Sequence, residues 1–138
     1  MPISDIISYR LEEIIKSYNS GCYLSVIILC GSILEGILLS VAPMFPKEFN
    51  QAKSAPKKDN KPKRFEQWKL NDFIEVAKEI NFIDLVAYKY SHTLREFRNF
   101  IHPFEAYAKQ HNTFDKRSAE ISIKVLIKII EDLDDKIK

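Results

Sequence analysis

The residues best suited to chemistry lie together in one stretch, Leu94-Arg95-Glu96-Phe97-Arg98-Asn99-Phe100-Ile101-His102-Pro103. On an α-helix each residue advances about 100°. With Arg95 at about 0°, His102 falls at about −20°, Arg98 at about −60°, Asn99 at about +40° and His92 at about +60°. These five polar groups then share one face. Tyr90, Leu94, Phe97, Phe100 and Ile101 gather on the other side as the expected core face. Arginine, histidine and asparagine together suit a metal-free attack on a phosphodiester. The guanidinium stabilises developing negative charge, and the imidazole moves protons. His102 precedes Pro103 at the expected helix C-terminus, where the helix dipole favours an imidazolium, while Arg95 and Arg98 oppose it by like charge.

Other chemistries lack their marks. No HExxH, no paired Cys/His set and no cluster of acids suggests a metal site, and no cofactor is expected. Neither GxxxxGK[ST] nor GxGxxG is present to cradle a nucleotide. Gly31-Ser32-Ile33-Leu34-Glu35-Gly36 lacks both the GxSxG pattern and the preceding strand of a nucleophile elbow. Cys22 and Cys30 are too far apart along one expected helix to bridge each other, and are expected as buried, reduced thiols of a cytoplasmic protein.

The elements that must position the polar stretch are helices. With 138 residues, 46% of them hydrophobic, and only three glycines, the chain is expected to form one all-α domain over 1–138, an up-and-down bundle of four to five helices. A formal net charge of +2 is too small to mark the whole chain as a nucleic-acid binder, so any basic character must be local. A first helix is expected over 4–17, capped by Ser4 or Asp5, with Ile6, Ile7, Leu11, Ile14, Ile15 and Tyr18 in one apolar stripe. A second, over 21–42, is apolar nearly all round and belongs in the middle of the bundle. Its small residues Ser32, Gly36 and Ser40 would admit a neighbouring helix closely. Glu35 interrupts its apolar run, which argues against a membrane span. Residues 46–66 read as a mobile basic loop, whose Lys57, Lys58, Lys61, Lys63 and Arg64 would suit phosphates. Trp68 is expected as a packing anchor. Further helices are expected over 71–80 with Asn71 as cap, over 83–102, and over 115–136.

The stretch from Leu94 to Pro103 resembles the signature of the HEPN superfamily of helical domains, an arginine commonly followed by a polar residue such as asparagine, then a histidine four to six residues beyond. The apolar second helix with an acid inside it is also similar to that family's bundle. The resemblance spans most of the chain as a helix order and about ten residues as a specific motif. Six residues separate Arg95 from His102, within the family range, whereas three separate Arg98 from His102. Either Arg95 is the matching arginine, or Arg98 takes the role with altered geometry. The resemblance implies a homodimer in which arginine and histidine of both copies form one cleft. The implied activity is that of a metal-independent endoribonuclease, as in toxin–antitoxin or phage-defence systems, with an antitoxin or other protein as partner. The runner-up is a catalytically silent module that binds RNA, a nucleotide or a partner protein. Arg95, Arg98, Asn99 and His102 would be the catalytic set. Glu35 is expected to pair with Arg95 or Arg98, since a carboxylate in an apolar helix is costly unless paired.

Overall fold

A long apolar helix needs other helices to cover it, and here they cover one broad side of the second helix while Leu24 and Ile28 on its other side stay exposed. The structure, a computed structural model, describes residues 3–99 and 114–138. Within these the chain is predominantly helical and forms a bundle. Helix α2 (Tyr23–Val41) lies at its centre, packed against α1 (Ile3–Asn19), α4 (Leu70–Glu79), α5 (Leu85–Asn99) and α6 (Lys116–Ile137). Val26, Ile27, Cys30, Ile33, Leu34 and Leu38 are fully buried along it. The stretch Tyr23–Met44 is long and apolar enough to cross a membrane by length and composition, and here it supplies the core. Cys30 is buried, and burial pushes its thiol up to about 12. Cys22 is exposed at the start of α2, contrary to the expectation that both thiols are buried, because it sits in the turn before the apolar run begins. An added Cβ at Gly36 would meet nothing within 4 Å, so the expected close helix approach does not occur there.

Helix boundaries follow local chemistry. α1 begins at Ile3, which places Ser4 inside the helix rather than at its cap. It ends in a Schellman turn, with Cys22 N–H donating to the Ser17 carbonyl at 2.8 Å and Gly21 N–H to that of Tyr18 at 3.1 Å. Gly21 has φ +75°, which a side chain would strain. Asn81 plays the same part after α4 with φ 62°. The N-cap of α4 is Lys69, not Asn71, and the Asp72 carboxylate accepts the Lys69 backbone N–H at 2.8 Å. Asp84 takes the Ala87 N–H at the start of α5, and Asp115 takes the Ser118 N–H at the start of α6. Lys128 on α6 bridges Asp84 and Asp132 at 2.9 and 2.7 Å, tying α5 to α6. Tyr18 O–H donates to Glu120 at 2.5 Å, and Ile7 and Ile137 line one groove, so α1 and α6 run antiparallel side by side.

The expected mobile loop over 46–66 is replaced by built structure. It contains a short helix, α3 (Pro46–Gln51), and a two-stranded hairpin, β1 (Lys57–Lys58) with β2 (Lys61–Pro62), before a 3₁₀ turn over Phe65–Gln67. The hairpin turns through Asp59 and Asn60, both at positive φ, as a two-residue primed turn requires. Phe49 is fully buried and stacks edge-on against Phe82 and Phe65, while Trp68 packs on Phe65 and Phe73 and donates Nε1–H to the Lys63 carbonyl at 2.9 Å. The prolines and lysines of this segment mark turns, but its aromatics carry the apolar area that holds it down. Pro46 opens α3 at N1 and Pro62 lies on a hairpin edge, both sites where a missing N–H costs nothing. Trp68 is the anchor expected of it.

Two outcomes follow from this packing. Phe49→Ala should cost about 3–5 kcal/mol, read from urea unfolding, because it empties the centre of the aromatic cluster. Hydrogen bonds from backbone N–H groups, Ala87 for Asp84 and Ser118 for Asp115, hold both cap carboxyls below their usual range. A depressed folded pKa contributes stability above the unfolded value of about 3.9, lost as pH falls through the folded pKa. Thermal midpoints should therefore drop below about pH 4, and Asp115→Asn, which keeps a cap oxygen that does not titrate, should shallow that drop.

Candidate functional site

Helix α5 carries the polar stretch, and its neighbours fix which side of it is buried. Ala87, Ser91 and Leu94 form the buried row, while Tyr90, expected in the core, is 47% exposed. The core face is rotated by roughly 75° from the expected one. The expected phase follows the large aromatic residues. The actual phase is set by small Ala87 and Ser91, which let α2, α4 and α6 close around α5. Ser91 O–H donates to the Ala87 carbonyl at 2.6 Å, so this buried hydroxyl is satisfied within its own helix.

The polar edge beside that row is a chain of four side chains. His92 Nε2 lies 2.9 Å from Glu75 Oε1, and the same oxygen accepts Tyr88 O–H at 2.7 Å. Tyr88 and His92 rings meet edge-to-face at 4.7 Å. Arg95 Nε–H donates to His92 Nδ1 at 3.4 Å. Glu75 comes from α4, so the cluster spans two helices. The hydrogen bond to Glu75, with some burial, raises the Tyr88 hydroxyl above its ordinary range.

Of the residues expected to form the site, Arg95 is half-buried on α5 and sits against His92. Arg98 and Asn99 belong to the same helix, with their side chains outside the described residues. His102 lies outside the described residues altogether. Glu35 is half-buried on α2; of its two expected partners, Arg95 sits against His92, and the side chain of Arg98 falls outside what is described. Lys57, Lys58, Lys61 and Arg64 are exposed on or beside the hairpin, Lys63 is half-buried, and Arg64 pairs with Glu66 at 3.6 Å. Lys58 and Lys61 stand directly opposite each other across the strands, a like-charge pair that an anion would relieve. Glu79 accepts the Lys53 and Ser54 backbone N–H groups at 2.6 and 2.9 Å. Glu79 lies one turn along α4 from Glu75, so the chain leading into the hairpin passes on the Glu75 side of α4.

Sequence reasoning placed His92 on the polar face but missed Glu75 and Tyr88. Tyr88 stands one turn before His92, a spacing that could have suggested their contact. Glu75 comes from another helix, and nothing local signals it. Among the described residues, no group of three or more His, Cys, Asp or Glu side chains could hold a metal ion.

The chain matches no family model, and no curated protein or solved structure matches it.

Removing the charge of Glu75 should release Tyr88. Glu75→Gln should bring the Tyr88 hydroxyl back toward about 10, followed by NMR through an alkaline titration. An unchanged Tyr88 titration would mean that Glu75 does not hold it.

Proposed function

We propose that the protein is a metal-independent endoribonuclease of HEPN type, acting as a cytoplasmic homodimer, with a toxin–antitoxin or phage-defence role. The observation that carries this reading is Arg95, seated on His92 in the helix Leu85–Asn99, with His102 three residues further along the sequence. A guanidinium fixed beside an imidazole presents paired donors that suit the oxygens of an anionic phosphorus centre. In this mechanism His102 takes the proton of an RNA 2′-hydroxyl, whose oxygen attacks the adjacent phosphorus. The bond from phosphorus to the 5′-oxygen breaks, and that oxygen takes up a proton, leaving a 2′,3′-cyclic phosphate and a 5′-hydroxyl. Arg95 and Arg98 stabilise the extra negative charge on the phosphoryl oxygens, and Asn99 orients the reacting groups by hydrogen bonding. The exposed lysines of the hairpin hold the RNA backbone. An antitoxin or other protein partner covers the cleft when the enzyme is silent.

The second reading, a catalytically silent module that binds RNA, is favoured by the Lys58–Lys61 pair, which serves phosphates without any chemistry.

Wild type and His102→Ala are incubated with labelled single-stranded RNA and matched DNA in EDTA. The expected result is RNA cleavage to a 2′,3′-cyclic phosphate by wild type alone, with DNA spared. His102→Ala should lose at least about a hundredfold in rate. No cleavage by either protein, with binding retained, selects the silent module.

A further inference from the structure

The geometry around His92 assigns its tautomer, and with it a role. An ionised carboxylate only accepts hydrogen bonds, so His92 Nε2 must carry the proton shared with Glu75 at 2.9 Å. An arginine Nε only donates, so His92 Nδ1 must be the bare nitrogen facing Arg95 at 3.4 Å. The two partners demand the same state, a neutral imidazole protonated on Nε2. An imidazolium would instead set an N–H of His92 against the N–H of Arg95, two donors and two positive charges with no acceptor between them. Tyr88 fixes the rest of the ring, through its shared hydrogen bond to Glu75 Oε1 and its edge-to-face contact at 4.7 Å.

What this does to Arg95 follows from the shape of a guanidinium. It has five N–H groups in a planar fork. His92 takes the one on Nε, which fixes the plane of the group and leaves the two terminal amino groups to present a pair of parallel donors. That pair matches two oxygens of a phosphodiester. We propose that His92, held by Glu75 and Tyr88, is a positioning residue that aims Arg95 at a phosphate of a bound RNA strand. The proposal rests on reading Arg95 as the phosphate-binding arginine, but it requires no cleavage. It makes His92, which lies outside the Arg95-to-His102 stretch, a determinant of RNA affinity. It also assigns α4 a functional share through Glu75.

The wild-type protein provides a test without any substitution. Two-dimensional ¹⁵N NMR of the imidazoles at pH 7.5 should report His92 as neutral and protonated on Nε2. A His92 protonated on Nδ1, or on both nitrogens, would overturn the assignment. Affinity is then measured by fluorescence anisotropy with a 2′-O-methyl RNA dodecamer, which cannot be cleaved through its 2′-oxygen. Arg95→Ala and His92→Ala should each weaken binding by roughly tenfold, the loss expected for a hydrogen bond to a charged group. His92→Asn, whose amide oxygen can take the place of Nδ1, should recover most of that affinity, and the Arg95 Nε–H resonance should return with it. Equal losses in the Ala and Asn variants, or full affinity in His92→Ala, would defeat the positioning role. Failure of the ribonuclease reading has a different signature. A protein whose RNA affinity depends on both Arg95 and His92 but which cleaves no RNA keeps the positioning role and loses the catalysis. Cleavage that proceeds with undiminished RNA affinity in His92→Ala does the reverse.

Discussion

The constraint on which the bundle depends is the broad apolar face of α2. Eight of its nineteen residues are buried, among them Val26, Ile27, Cys30, Leu34 and Leu38, and they share one side of the helix, while Leu24, Ser25 and Ile28 on the other side are exposed. Such a face is stable in water only when other helices cover it. α1, α4, α5 and α6 pack against α2 and do so, each giving apolar residues to the shared core. The candidate site is a by-product of that arrangement. Because α4 and α5 both pack on α2 and on each other, a carboxylate of one helix and an imidazole of the other come within hydrogen-bonding distance at the seam.

The seam also separates two kinds of electrostatics. Within it, Glu75, Tyr88, His92 and Arg95 satisfy one another through a short chain of donors and acceptors, half-screened from water. On the hairpin, Lys57, Lys58 and Lys61 stand in solvent, where salt screens them and where a polyanion gains by releasing its counterions. In the function proposed above, the first arrangement would orient a single phosphate and the second would attract a chain of them, one giving direction and the other range.

Much of the fold was legible in the sequence because periodicity reports burial directly. The apolar residues of α1, α2 and α6 mark which helices must pack together, although Ile15, Ile28 and Ile127 stay exposed, and the boundaries fall within a few residues of the expected ones. Two readings went astray for a shared reason. In α5, large aromatics outweighed Ala87 and Ser91 in setting the expected core face, although small residues are what allow three helices to converge. In the segment before Trp68, lysines and prolines outweighed Phe49 and Phe65, although two or three buried rings suffice to anchor a hairpin. The partnership of Glu75 with His92 was beyond reach for another reason. It joins residues 17 positions apart on different helices, and no local pattern encodes such a pairing.

The antiparallel course of α1 and α6 brings the start of α1 and the end of α6 to the same end of the bundle, with Ile7 and Ile137 in one groove. The order in which the helices are threaded is therefore not dictated by their packing. In a circular permutant α6 could be linked to α1 and the backbone opened between Asp59 and Asn60, at the tip of the hairpin, without breaking a helix. Such a circular permutant would keep the helices packed on α2 intact while splitting the lysine-bearing strands between the new termini.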